Sequence, residues 1–162
     1  MKKLALTAPL AWLAWLALTD WVPMFPLNDL AAIPAGDRAI AAVANYPFPL
    51  LIAAGVALDR HWSRITAVAL SALCLIGHVT SWWIPYFGSA SPTQRVEFQE
   101  YYAQTLRFWP TAGHDVVVDL QHAVVGLLTL AMLTATVLVT MRRWPRQENP
   151  GRPAAAAVAR HS

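Results

Sequence analysis

The chain has 162 residues, of which 57% are hydrophobic and 13% are charged, and its formal net charge is +3. A soluble domain carries about 25% charged residues, so this composition predicts that lipid surrounds most of the chain. The single cysteine, Cys74, excludes an intramolecular disulfide, and the sequence contains no Gly-rich phosphate loop, GxSxG or HExxH motif. Because the basic residues flank apolar stretches, nothing favours nucleic-acid binding, and the expected partner is the lipid bilayer.

Four stretches are long and apolar enough to cross the hydrocarbon core as helices, which takes about 20 residues each. They cover residues 4–19, 40–58, 65–84 and 116–141. None shows the alternation of a barrel strand, so the sequence predicts an all-α protein, an up-down bundle of four transmembrane helices. The predicted membrane domain covers residues 1–146. The tail 147–162, rich in Pro, Ala and Arg, is predicted to be disordered in the cytoplasm.

The distribution of Lys and Arg predicts the orientation of the bundle, because basic residues close to span ends prefer the cytoplasm. With the N-terminus inside, nine of the 12 basic residues fall in cytoplasmic segments and three fall outside. The sequence therefore predicts a multi-pass plasma-membrane protein with both termini in the cytoplasm. The inner residues are Lys2, Lys3, Arg60, Arg64, Arg142, Arg143, Arg146, Arg152 and Arg160, and the outer ones are Arg38, Arg95 and Arg107.

The first span admits a second interpretation. A Lys-Lys start followed by a short apolar stretch also describes a signal peptide. Trp12 and Trp15 within the stretch, and the lack of a clean A-x-A site before Asp20, argue against cleavage. Cleavage would leave three spans with the same orientation.

Prolines and a capping signal predict irregular structure on the outer side. Pro47 and Pro49 lie early in the second span and remove backbone donors, so a kink is expected there. The segment 92–109 begins with a capping-box-like pattern and carries an apolar stripe at helical spacing, which predicts a short helix. This helix either lies flat on the outer leaflet as an interfacial helix or covers the end of the bundle.

The polar residues within the spans gather in the outer halves, whereas the inner halves are nearly all apolar. Ionisable groups at membrane depth are costly and usually face the bundle interior or a cavity. The sequence therefore predicts a semi-buried pocket in the outer half, built by His78, Asp119 and His122, with Asn45 and Tyr46 as secondary candidates. Two further polar groups at this level are Asp20 and Cys74.

Three functional hypotheses follow from these residues. Asp119 and His122 share a helix face and suit acid–base catalysis on a lipid-soluble substrate. His78 and His122, on different helices, suit a metal or haem iron as ligands. The third hypothesis is structural: the Asp–His pair only fixes helix register, at about 1 kcal/mol or less per hydrogen bond. No particular cofactor, substrate or oligomeric state is predicted.

Three motifs give the chain a resemblance to other proteins. Residues 83–88 have the sequence Trp-Ile-Pro-Tyr-Phe-Gly, residues 108–110 have Phe-Trp-Pro, and Asp119-x-x-His122 opens the last span. The chain thus resembles small, uncharacterised bacterial four-helix integral membrane proteins that have a Trp-x-Pro-Tyr motif in the outer loop and a His early in the last helix. The resemblance covers about a third of the chain. It implies four helices and a bacterial plasma membrane, and it carries no activity.

Overall fold

A computed structural model describes residues 1–142, so the tail predicted over 147–162 lies outside the described residues. All regular elements in the described part are helices, as the sequence predicts, and a single antiparallel bridge joins Arg107 to Asp119. Two π-helical segments, Val79–Trp83 and Phe98–Tyr102, continue helices α4 and α6. The α-helices are α1 (Lys2–Trp21), α2 (Ala35–Asn45), α3 (Pro47–Leu58), α4 (His61–His78), α5 (Ile84–Phe87), α6 (Pro92–Glu97) and α7 (Leu120–Arg142).

Four helical units are long and apolar enough to cross a membrane, which confirms the four long apolar helices of the prediction. They are Lys2–Trp21, Ala35–Leu58, His61–Phe87 and Leu120–Arg142, called here the first to fourth spans. The first and third spans each pack on two neighbours. Helix α1 lies against α3 and α7, and α4 likewise lies against α3 and α7, so the four spans form one bundle.

The second span is interrupted at Tyr46, immediately before Pro47. A proline in a helix removes a backbone donor and disturbs the preceding turn, which is the physical reason for the predicted kink. Beyond the interruption, α2 packs on α1 and α3, and it has no comparable packing on the third or fourth span among the described helices. The bundle is therefore less closed around α2 than around α3.

The end of the bundle that holds Asp59, called here the Asp59 end, is closely packed. A Cβ on Gly55 in α3 would lie 2.7 Å from the backbone oxygen of Ser63, so this glycine lets the second and third spans approach each other. Lys2 Nζ lies 3.1 Å from Asp59 Oδ2, and Arg64 also faces this carboxylate at 3.9 Å. These charges join the start of the first span to the turn between the second and third spans.

The fourth span begins at Leu120, four residues later than the predicted start at 116. Asp119 is the reason, because its Oδ1 accepts a hydrogen bond of 2.8 Å from the backbone N–H of His122 and so caps the helix. The preceding residues, 116–118, are valines that are almost fully buried against Tyr86 and Phe98. These three valines are buried in a non-helical conformation, where the sequence predicted the first turn of the helix.

The helix predicted over 92–109 is shorter than expected and leaves helical geometry after Tyr102. Beyond that residue, the backbone N–H of Leu106 donates to Pro26 at 2.6 Å, and the N–H of Leu120 donates to Leu106 at 2.8 Å. These long-range bonds occupy backbone groups that a continuing helix would use. Phe98 is only 4% exposed and packs with Tyr86 in one apolar cluster, so one face of the segment is buried against the protein. That the segment lies flat on a membrane surface stays a prediction.

Candidate functional site: a polar-walled cavity

A cavity of about 680 Å³ lies between the four spans at the end opposite Asp59, called here the cavity end. Asp20 lies on its wall, about 27 Å along helix α1 from Lys2 at 1.5 Å per residue. Each of the four spans places a polar side chain on this wall. This agrees with the sequence, in which the polar residues of the spans lie toward one end of the bundle. The polar wall residues from the spans are Asp20, Asn45, Cys74, His78, Ser81, Gln121 and His122.

His122 on the cavity wall makes a short polar contact with Asp119. His122 Nδ1 lies 2.7 Å from Asp119 Oδ1, and Asp119 Oδ2 accepts a hydrogen bond of 2.8 Å from the hydroxyl of Thr105. A carboxylate can only accept, so Nδ1 of His122 carries the hydrogen and Nε2 is the acceptor nitrogen when the ring is neutral. Asp119 itself is 1% exposed and lies behind His122, outside the cavity wall.

The charge state of Asp119 follows from its partners. Burial by itself raises the pKa of this carboxyl, but the charge of His122 and the hydrogen bonds from His122 and Thr105 outweigh burial and hold the pKa below its ordinary value of 3.8. Asp119 is therefore ionised at neutral pH. A fixed negative charge behind the ring holds one tautomer of His122.

Aromatic rings hold the His122 imidazole against the cavity. Trp82 stacks on it with ring centroids 3.6 Å apart, and Tyr102 meets it edge-on at 5.1 Å. Burial, followed by the nearby charge of Asp119, raises the pKa of Tyr102 to about 12, so its phenol stays protonated. A neutral phenol and an oriented imidazole thus border the same space.

His78 borders the cavity from the third span and packs against the fourth. A Cβ on Gly126 would lie 2.6 Å from His78 Nε2, so only glycine permits this close approach. The residue is 8% exposed, and Nε2 has no hydrogen-bond partner among the described residues. The structure therefore brings His78 and His122 to one cavity, as the pocket hypothesis requires.

The two secondary candidates have different positions. Asn45 lies on the cavity wall, whereas Tyr46 does not. The Tyr46 hydroxyl donates to Asp20 Oδ2 at 2.9 Å and accepts from the indole N–H of Trp21 at 3.0 Å. Tyr46 thus holds the Asp20 carboxylate in place instead of facing the cavity.

Several wall residues escaped the sequence-based prediction. Trp12 belongs to the apolar first span, and its indole N–H has no partner among the described residues although the side chain borders the cavity. Glu97 and Tyr102 come from the segment between the third and fourth spans, which forms a roof over the cavity. The capping-box pattern indicated a helix there, but no sequence signal indicated which of its side chains turn inward.

Among the described residues, the structure adds no metal ligand to the two that the sequence suggested. Within residues 1–142, no group of three or more His, Cys, Asp and Glu side chains is arranged to hold a metal ion. His78 and His122 stay the two candidate ligands, fewer than the three protein ligands usual in catalytic zinc sites. No family model, curated protein or solved structure matches the chain, so the site is interpreted from its own geometry.

Proposed function

We propose that the chain is an up-down four-helix integral protein of a bacterial plasma membrane, with both termini in the cytoplasm. Four apolar spans and the excess of basic residues at the Asp59 end support this orientation. The cavity then lies in the outer half of the bilayer. The resemblance in the outer-loop motifs supports a bacterial source.

Cysteine accessibility tests the proposed orientation, because the chain has only one native cysteine to replace. In a Cys74→Ser background, spheroplasts are treated with a membrane-impermeant maleimide after introduction of Ala112→Cys or Arg60→Cys. We expect the reagent to label position 112 and to reach position 60 only after the membrane is permeabilised. The opposite pattern would reverse the orientation.

We propose that the function of the protein is to bind a small lipid-soluble molecule in this cavity. The observation that carries the proposal is a space of about 680 Å³ at which polar groups from all four spans meet. Ligand sites in proteins are concave spaces of about 300–1,000 Å³ with mainly apolar walls and a few placed polar groups. A bundle that served only as a scaffold would gain stability by filling this space, since internal voids are destabilising.

A cavity-filling variant tests the proposal. Gly77 lies on the wall, and apart from its chain neighbours and the backbone of its own helix no described atom lies within 4 Å of the position that a Cβ would take there. Gly77→Phe should fill part of the cavity without a backbone clash. Gly36→Phe is the matched control, because Gly36 is equally open but lies outside the cavity. Lipophilic molecules that copurify with each variant are extracted and quantified by mass spectrometry.

We expect at least one lipophilic species to be retained by the wild type, Gly77→Ala and Gly36→Phe and to be lost from Gly77→Phe. The thermal midpoints of the variants check that each is folded. An identical set of extracted species in all four proteins would refute binding in this cavity.

Acid–base catalysis on the bound molecule is a second candidate function. The observation that favours it is the 2.7 Å contact between Asp119 and Nδ1 of His122, which leaves Nε2 as the proton-accepting nitrogen of a ring that borders the cavity. Under this hypothesis His122→Gln retains the bound molecule in an unconverted form that differs in mass from the species on the wild type. The same species on both proteins would leave binding alone as the function.

A further inference from the structure

Two carboxylates on the cavity wall have no cationic partner among residues 1–142. Asp20 lies at the end of the first span and Glu97 lies in the roof, and both residues line the cavity. In the described part of the chain, no ion pair joins either of them to Lys, Arg or His. The Asp20 carboxylate accepts a hydrogen bond from the Tyr46 hydroxyl, which leaves its charge uncompensated. Because carboxylates in membrane-spanning helices usually pair with a cation, a cationic ligand would complete this wall.

Arg38 lies near Asp20, but its guanidinium group has other contacts. Its Nη1 donates to the backbone oxygen of Asp20 at 3.0 Å, and the group lies over the Trp21 ring, 5.4 Å from the centroid. Arg38 does not line this cavity, and none of the described residues that line it is Lys or Arg. The wall therefore carries two carboxylates without a permanent positive charge.

The excess of negative charge continues into a smaller cavity of about 220 Å³ next to the first. Asp20 and Glu97 line both spaces. The smaller space is also bordered by Asp29 and Asp37, and Arg38 is the only Lys or Arg among its described lining residues. Carboxylates that outnumber basic groups around a cleft with low-dielectric walls attract cations to it and repel anions.

The carboxylates lie close enough together to act on one group at the wall. Burial raises the pKa of the Tyr102 phenol to about 12, and the charges of Asp119, Asp20 and Glu97 act in the same direction. Of these three carboxylates, Asp119 is already bonded to His122 at 2.7 Å. The charges of Asp20 and Glu97 are therefore the two left for a ligand.

The aromatic part of the wall favours an organic cation. Rings from three spans and the roof border the cavity, namely Trp12, Phe48, Trp82, Phe98 and Tyr102. The faces of aromatic rings attract ammonium groups, and aromatic rings also pack well on hydrocarbon. A metal ion is not favoured, because no three His, Cys, Asp and Glu side chains in residues 1–142 are arranged to hold one.

Charged and apolar surfaces lie at different levels of the cavity. Trp12 and Asp20 both line it from helix α1, and their separation of eight residues corresponds to about 12 Å along the helix axis. Leu73 and Val125 line it from the third and fourth spans on the side toward the Asp59 end. A ligand with a charged head and a hydrocarbon body matches this change in polarity.

We propose that the cavity binds an amphiphilic organic cation, with its ammonium head beside Asp20 and Glu97 and its apolar body toward Trp12. This assignment of a ligand class rests on the proposed function of the cavity.

The test compares three amphiphiles with the same ten-carbon chain. Their heads are a trimethylammonium, a hydroxyl and a sulfonate. Each is equilibrated with the full-length protein in nanodiscs of neutral lipid, and bound ligand is quantified by mass spectrometry against empty nanodiscs. Gly77→Phe, which fills part of the cavity, is included to show whether the bound amphiphile occupies this space.

Four further variants remove single charges and keep the size of the side chain. Asp20→Asn and Glu97→Gln change the two wall carboxylates. Asp115→Asn and Glu100→Gln are their matched controls, because these carboxylates line neither cavity. Glu97 is exposed, so Glu97→Gln with its control keeps the test decisive if Asp20→Asn fails to fold.

We expect the ammonium compound to bind at least tenfold more tightly than the other two amphiphiles and to be lost from Gly77→Phe. Asp20→Asn and Glu97→Gln should each weaken its binding about 2- to 5-fold, the effect of one partly exposed ion pair. The two controls should change it less than about 1.5-fold, because distant exposed charges are screened. Tighter binding of the alcohol or the sulfonate, or wall variants that weaken binding no more than their controls, would overturn the ligand class.

These outcomes separate the ligand class from the function of the cavity. If the ammonium compound fails to bind while Gly77→Phe still loses a copurified species, the ligand class is wrong and the cavity keeps its binding role. If no species depends on Gly77 either, the proposed function itself is wrong.

Discussion

Gly55 at the Asp59 end and Gly77 at the cavity end have opposite surroundings. At the Asp59 end, Gly55 allows close contact, because a Cβ there would lie 2.7 Å from a backbone oxygen of the next span. At the cavity end, Gly77 has open space beside it on the wall of a cavity of about 680 Å³. The Asp59 end shows that these helices can pack tightly. The looser end is also where polar side chains from all four spans meet, so the open space and the polar residues occur together.

The largest expected effect on stability is at the closely packed end. Gly55→Ala should lower the free energy of unfolding by about 1–3 kcal/mol, because the new Cβ forces apart two backbones that cannot move independently. Gly77→Ala should be neutral or stabilising by up to about 1 kcal/mol, since alanine favours the helix and meets open space. Unfolding in mixed detergent micelles measures both variants. Equal destabilisation by the two substitutions would remove the contrast between the ends.

Asp119→Asn tests the charge at the cavity end. The amide still accepts the backbone N–H of His122, so the variant removes the charge and retains the cap, and we expect a loss of about 1–2 kcal/mol at neutral pH. Asp115→Asn is the control. Its carboxylate pairs with Arg95 at 3.2 Å but is 58% exposed, so its loss should cost less than about 0.5 kcal/mol.

The effect of Asp119→Asn should depend on pH in a defined direction. The folded state holds the pKa of Asp119 below its ordinary value of 3.8, so this carboxylate stabilises the fold above pH 3.8, and the contribution is lost as pH falls through the folded pKa. The difference between wild type and variant should therefore shrink in acid. A difference that grows as the pH is lowered would contradict the assigned charge state.

Gly126→Ala should have a smaller effect, whose sign depends on His78. In the wild type the new Cβ would lie 2.6 Å from His78 Nε2 and displace the ring, which offsets the gain of about 0.5–1 kcal/mol from replacing glycine in a helix. In a His78→Ala background the obstacle is gone, and the same substitution should be stabilising. A double-mutant cycle measures this coupling. Additive effects would show that the two residues do not meet.

The sequence predicted the four long apolar helices and the kink before Pro47, because hydropathy and proline act locally. The sequence also indicated that His78 and His122 lie at a similar depth in their helices, among the other polar residues of the spans. It did not predict that Gly126 faces His78, since that contact depends on the register between the third and fourth spans. The sequence also could not predict the path of the loop between the third and fourth spans, because it depends on long-range bonds such as that from Leu106 to Pro26.

The catalytic roles of Asp119 and His122 stay predictions, although the structure shows a direct contact between the two side chains. The sequence placed them on one helix face. The structure adds that Asp119 caps the fourth span, which serves stability as well as any reaction. Only a measurement that separates ligand binding from folding can distinguish these roles.

Extraction of copurified lipophilic molecules from Gly77→Phe and Gly36→Phe tests the central claim most directly. Both variants add the same side chain at an open glycine, and only one of them fills the cavity. We expect a lipophilic species that is present on the wild type and on Gly36→Phe and absent from Gly77→Phe, with similar thermal midpoints for all three proteins. The same species in equal amount on both variants would contradict a binding function for the cavity.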